Sequence, residues 1–230
     1  MRQAQASRLC VVAEKLNKDD LDDGRDDNDE EKHRVGREPG KSGFPVVADA
    51  PRVEFVEDLA KDKGIEELYY SIKSLSKKYR KKIEFTIIGD KDEDNPNNVT
   101  SEILNYFKSD SSYIRYLSNS SDINQYLKQS HILIHPSYHE GLSVICQEAV
   151  CIGRGIIASD ISGCREIVKN NVNGFLIPFR DQDALYLSII RLLEDSKLRL
   201  DMGKKGREIV INNFRYILSI RYRPAQELVR

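Results

Sequence analysis

The stretch that decides the fold reads Ile132-Leu133-Ile134-His135-Pro136-Ser137-Tyr138-His139-Glu140-Gly141-Leu142-Ser143, continuing Val144-Ile145-Cys146-Gln147-Glu148-Ala149. The short apolar run Ile132-Leu133-Ile134 suits a strand buried on both faces, and Pro136 ends it because proline cannot donate to a sheet ladder. A helix is predicted over 142–151. Glu140 therefore lies on a loop after a buried strand and just before a helix. Gly141 lets a ligand approach the backbone closely. The N–H groups of 142–144 are expected free at the helix start, where the dipole favours an anion such as phosphate. Glu148 lies two turns into that helix, where a carboxylate can accept two hydrogen bonds from neighbouring hydroxyls, as on a ribose. Glu140 can do the same for a second polyol. Together they suit a nucleoside diphosphate carrying a sugar.

The Glu140–Glu148 spacing alone carries little, because Glu30 and Glu38 repeat it in an unrelated setting. What raises the second pair is its order: strand, Pro, Gly, helix start. Outward from it the same alternation continues. Strands are predicted at 53–56, 83–88, 113–117, 156–158 and 175–177. Helices are predicted at 65–80, 101–108, 122–129 (capped by Asp122), 163–169, 181–194 and 197–212. Such alternation with mostly short connections predicts an α/β fold: a Rossmann-like parallel sheet with helices on both faces. Ligands in such sheets bind at the carboxyl ends of the strands.

Before residue 50 the composition changes. Residues 14–38 hold eleven acidic and six basic side chains, a net of −5. Such a segment buries too little apolar surface to offset its ordering entropy. Residues 1–50 are accordingly expected to be a disordered acidic tail and linker, 51–213 the folded domain, and 214–230 a closing helix or tail. Over the whole chain, 36 Lys and Arg face 37 Asp and Glu. That balance excludes a globally basic nucleic-acid binder. No apolar stretch approaches 18 residues and no secretion signal is visible, so a cytoplasmic protein with reduced thiols is expected, at most peripheral at a membrane. No metal-ligand spacing stands out, and no cofactor is expected.

Several strings now form an ordered set: Lys61-Asp62-Lys63-Gly64-Ile65, Ile87-Ile88-Gly89-Asp90, the 130–149 stretch, Ala158-Ser159-Asp160, Gly163-Cys164-Arg165-Glu166 and Asn173-Gly174-Phe175-Leu176. In this order, residues 53–213 resemble the C-terminal, donor-binding domain of a family-4 retaining glycosyltransferase, one half of a GT-B fold. Within that family the chain resembles enzymes that build bacterial polysaccharides and lipid-linked glycans. The resemblance implies retaining transfer of a hexose or N-acetylhexosamine from a UDP-sugar to a glycan or lipid-linked acceptor. It implies that Lys63 neutralises the departing diphosphate and that Glu140 holds donor-sugar hydroxyls. Backbone N–H groups of Gly141, Leu142, Ser143 and Val144 would contact sugar and phosphate. Glu148 would hold the ribose, and the backbone of Leu117 and Ser118 would face the base. No metal is needed, because positive side chains and a helix start replace it.

Two departures stand beside the resemblance. The family usually has an Arg five residues before the Lys of Lys-Gly; here Asp58 stands there, and Arg52 could substitute if the register differed. The acceptor domain of comparable size has no counterpart in residues 1–50, so a separate acceptor domain or chain is implied. A truncated or degenerate, non-catalytic nucleotide-sugar-binding remnant is the alternative reading. Of the remaining side chains, His135 reads as a satisfied strand-end histidine and His139 as cleft-lining. Cys146, Cys151 and Cys164 read as small apolar fillers. Arg165 and Glu166 read as either a helix-start pair or a ligand contact.

Overall fold

The computed structural model describes residues 50–75, 77–91, 95–109, 113–118 and 123–221. The expected tail, Asp122, most of the Asp92–Pro96 loop and residues 222–230 lie outside the described residues. Six strands form one parallel sheet: β1 (Arg52–Val56), β2 (Glu84–Ile88), β3 (Ile114–Leu117), β4 (Ile132–His135), β5 (Gly155–Ser159) and β6 (Gly174–Ile177). Their order is β3-β2-β1-β4-β5-β6. Chain direction reverses its walk across the sheet between β1 and β4, which opens a crevice at their carboxyl ends. The expected Rossmann-like architecture is the observed one.

Strand alternation sorts the side chains between two cores. Val53, Phe55, Ile132, Ile134 and Ile157 join one buried cluster; Leu133, Ile156 and Ala158 join the other. By the same period of two, His135 follows Leu133 onto the second face, where Cys146 and Cys164 also lie. The first face is covered by α1 (Ile65–Ser74) and α7 (Gln182–Glu194), which pack on each other. The second face carries α4 (Ile123–Gln129) and α5 (Val144–Cys151). Short helices α2 (Lys77–Arg80) and α6 (Ser162–Arg165), with α3 (Ser101–Ser109) and the long α8 (Ser196–Arg221), complete the described elements. The expected boundary at 213 falls inside α8.

Three expected elements differ in extent, each for a local reason. The helix predicted over 65–80 breaks at Leu75, whose extended backbone carries its side chain into the core. Arg80 then donates to the Leu75 and Lys73 carbonyls and closes the end of α1. The helix predicted over 163–169 stops at Arg165, because the buried Asn173 takes the next backbone groups: it accepts from Lys169 N and donates to the Ile167 carbonyl. The helix predicted from 142 begins at Val144. Ser143 is its N-cap, with Oγ accepting from Cys146 N at 3.3 Å.

Glu54 is the anomaly of the sheet. It sits mid-β1 on the second face, 1% exposed, with neither carboxylate oxygen hydrogen-bonded. Burial pushes its carboxyl up to about 8, while Ser130 and the charge of Arg154 act in the opposite direction. Between the ordinary carboxyl range and pH 8 the folded chain therefore holds a proton that the unfolded chain has lost. Stability must fall as pH rises through this window. Glu54→Gln should remove the slope and stabilise the fold at pH 8 by about 1–3 kcal/mol, with little change at pH 4.5. Urea unfolding at both pH values checks this, and equal stabilisation at the two would refute it.

Candidate donor-binding site

The crevice is built where β1 and β4 end. Glu57 follows β1, His135 closes β4, and the 3-10 turn Lys61–Lys63 crosses above them. The turn is tied to the β4–α5 loop by backbone contact. Tyr138 N donates to the Asp62 carbonyl at 2.8 Å, and Ser137 Oγ reaches that carbonyl at 3.4 Å. Gly64 adopts a left-handed φ of 72°, and a Cβ there would run into the Pro136 carbonyl. Gly163 plays the matching part from α6: a Cβ would meet the Glu140 carbonyl. Tyr138 is held by its hydroxyl, which donates to Glu67 Oε1 at 2.6 Å, and by Arg180 over its ring.

At the centre, Lys63 Nζ lies 2.8 Å from Glu140 Oε1 and 3.2 Å from Glu57 Oε2. Ser137 Oγ donates to Glu140 Oε1 at 3.0 Å. Burial opposes the Lys63 charge, but the Glu140 hydrogen bond and the Glu57 charge outweigh it and push the amine up to about 12. Burial likewise pushes the Glu140 carboxyl up, yet the Lys63 hydrogen bond and charge, with His135 and Ser137, hold it below its ordinary value. Glu57 goes the other way. Its burial, reinforced by Glu140, raises the carboxyl against the lowering effects of His135 and Lys63.

Of the residues expected from sequence, Lys63 and Glu140 are thus brought together. Gly141 lines a groove of about 600 Å³ with Tyr138, His139, Glu140, Ser162 and Arg165. His139 lines this groove. No atom lies within 4 Å of a Cβ built at Gly141, so its bareness keeps the groove open. Leu142 is exposed, Ser143 is the helix cap and Val144 begins the helix. The helix opens at Val144 rather than 142, so of the N–H groups of 142–144 that of Val144 lies in its first turn, and Cys146 N is bound to Ser143. Glu148 lies on α5, half-buried, outside the lining of the groove. Leu117 ends β3 and Ser118 follows it, on the same carboxyl edge but beyond β2.

Other readings change more. Arg52 begins β1, at the amino edge, where it lies near Glu84 and the Gln129 carbonyl. It cannot replace the usual Arg. Asp58 is exposed and makes no ion pair with Lys63; the carboxylate that does is its neighbour Glu57, which sequence reasoning missed. Arg165 pairs with Asp160 at 2.6 Å, not with Glu166. His135 is no satisfied strand-end histidine. It is fully buried, neither ring nitrogen makes a well-formed hydrogen bond, and Nδ1 stands 3.3 Å from Glu57 Oε1.

Beneath it, Cys146 and Cys164 are more than fillers. Cys164 is drawn down to about 6, first by a hydrogen bond with Cys146 and then, against the effect of burial, by His135. Burial holds the Cys146 thiol well above its ordinary value. The fold also assembles two groups of metal-ligating type that no sequence spacing displays: His135–Cys146–Cys164 and Glu57–His135–Glu140, each with donor atoms within 4.8 Å of one another. The first has the soft donors that suit zinc. In the second, the Lys63 ammonium already bonds both carboxylates.

A parallel sheet with its switch point between β1 and β4, a Lys–Glu pair at that point and a groove beside a helix start define a Rossmann-like nucleotide-type binding domain. The family described as "Glycosyl transferases group 1" matches residues 41–209, and the chain belongs to it. It is 34% identical over 160 residues to a Campylobacter jejuni protein named N,N'-diacetylbacillosaminyl-diphospho-undecaprenol alpha-1,3-N-acetylgalactosaminyltransferase. The match covers 70% of this chain and 40% of that relative. An Escherichia coli protein named UDP-Gal:alpha-D-GlcNAc-diphosphoundecaprenol alpha-1,3-galactosyltransferase is 34% identical over 97 residues, covering 42% of this chain and 25% of the relative. Matches thus span less than half of these relatives' length. Among solved structures, the C-terminal domain of the group 1 protein LpcC from Francisella tularensis is similar with a TM-score of 0.63 at 21% identity, covering 71% of this chain and 86% of that domain. Anabaena Alr3699/HepE in complex with UDP-glucose is similar with a TM-score of 0.62 at 20% identity, covering 70% and 44%. These two likenesses support the fold.

The turn–loop weld is the part of the site a substitution reaches most directly. Gly64→Ala should destabilise the chain by about 2–4 kcal/mol, through the left-handed φ and the clash with Pro136. Gly141→Ala, with open space around it, should change stability by less than about 1 kcal/mol. Denaturant midpoints of the two variants check the contrast, which equal losses would contradict.

Proposed function

We propose that the chain is the donor-binding half of a retaining glycosyltransferase, binding a UDP-sugar and transferring its hexose or N-acetylhexosamine to a glycan or lipid-linked acceptor. The observation that carries this reading is the Lys63–Glu140 pair at the β1/β4 switch point of a group 1 family member. Lys63 neutralises the departing diphosphate, and Glu140 holds hydroxyls of the donor sugar. Backbone N–H groups of 141–144 contact sugar and phosphate. Glu148 takes the ribose hydroxyls, and the Leu117–Ser118 backbone faces the uracil.

The chemistry is consistent with these roles. Glycosyl transfer builds positive charge on the sugar ring and negative charge on the leaving diphosphate. A protonated amine poised beside a carboxylate meets both. The names of the two curated relatives above describe acceptors on diphospho-undecaprenol, which supports a lipid-linked acceptor here. The acceptor domain is supplied by further chain or by a partner. The site then works at the cytoplasmic face of a membrane, with peripheral contact at most. Among the described residues no helix is long and apolar enough to cross a membrane.

Calorimetric titration with UDP and UDP-sugars tests the reading. Binding is expected, and Glu148→Ala should weaken it roughly tenfold by removing the ribose contact. No heat at millimolar UDP, with no ligand-dependent change in thermal stability for either chain, would sink the proposal.

A further inference from the structure

Glu57 sits against the amine assigned to the diphosphate, and nothing so far gives it a role. Its Oε2 lies 3.2 Å from Lys63 Nζ, and its side chain is only 17% exposed, so solvent screens its charge poorly. Its main chain cannot retreat. Glu57 N donates to the Ile88 carbonyl at 3.1 Å, and the Glu57 carbonyl packs so closely on Gly89 that a Cβ there would overlap it. Only the side chain can turn away. The groups facing it are Lys63 on the 3-10 turn, His135 at the end of β4, Glu140 on the β4–α5 loop and Cys146 on α5.

One ammonium therefore serves two carboxylates, and an incoming diphosphate would add at least two more negative charges around it. We infer that Glu57 is an internal competitor for the diphosphate: its carboxylate holds Lys63 in the free protein, and the donor engages Lys63 only when the Glu57 side chain swings out. This rests on the donor-site reading above. The side chain thereby acts as a selectivity device, rejecting weak anions and admitting those that bring further contacts along the crevice.

Removing the carboxylate should therefore tighten the binding of a diphosphate.

The experiment is calorimetric titration of the full chain, as wild type, Glu57→Gln and Glu148→Ala, with UDP, UMP and uridine at about pH 8. Glu57→Gln should bind UDP roughly tenfold tighter than wild type at pH 8. The gain should be smaller for UMP and absent for uridine. Circular dichroism melting verifies that the variant folds, and Glu57→Ser should show the same gain where the glutamine does not fold. Equal UDP affinity of wild type and both Glu57 variants at pH 8, with Glu148→Ala weakened, overturns this inference and leaves the donor-site reading standing. Absence of UDP binding in every variant overturns both. A gain of equal size for uridine overturns the inference as well, since it would not act through phosphate.

Discussion

The crevice depends on where one ammonium sits. Lys63 Nζ bridges a carboxylate at the end of β1 and another on the β4–α5 loop, elements separated by 77 residues in the case of Glu140. A half-buried charge of this kind is tolerable only when its partners stand at hydrogen-bond distance. The surrounding structure supplies that precision through backbone contact. Gly64 lies against Pro136, Gly163 against Glu140, and Tyr138 N bonds the Asp62 carbonyl. Each is a close approach of main chain to main chain, which side-chain rearrangement cannot loosen. The turn, the loop and α6 are thus packed main chain to main chain around the Lys63–Glu140 pair.

What could be read in the sequence follows from the range of each interaction. The sheet was legible because parallel strands buried on both faces are short apolar runs, and 132–134, 156–158 and 175–177 are such runs. Glu140 was legible because it stands just before a Gly at a strand-to-helix turn, and Lys63 through the resemblance of Lys61-Asp62-Lys63-Gly64-Ile65 to the glycosyltransferase pattern. Helix limits were not: Ser143, Leu75 and Asn173 decide them through a cap, a buried side chain and a competing amide that periodicity does not register. The histidine and the two cysteines were read singly, since residues 135, 146 and 164 meet only once β4, α5 and α6 are packed together. Glu57 was invisible for a related reason. A glutamate after a strand is ordinary, and only the fold reveals that its carboxylate shares Lys63.

His135 joins the two polar layers. One side of its ring faces Glu57 and Glu140, and Cys164 and Cys146 lie on its own face of the sheet. In a fully buried position, the charge on either layer is felt by the other through this ring, because little solvent intervenes. Beneath the histidine, a hydrogen bond between the thiols and the pull of His135 draw Cys164 down, while burial holds Cys146 up.

This arrangement also bears on Asp58. A carboxylate at that position would be expected to repel a donor, yet Asp58 points to solvent and its neighbour carries the charge that matters. Two cations near the groove are already paired with carboxylates: Lys63 with Glu57 and Glu140, and Arg165 with Asp160. Arg180 lies over the Tyr138 ring at the groove. On the donor-site reading proposed above, attraction would come from backbone N–H groups at the start of α5 and from hydroxyls offered to Glu140. A bare phosphate would offer only the first kind of contact, and a sugar diphosphate both. The carboxylates that oppose a phosphate would then make the crevice discriminate by the sugar attached to it.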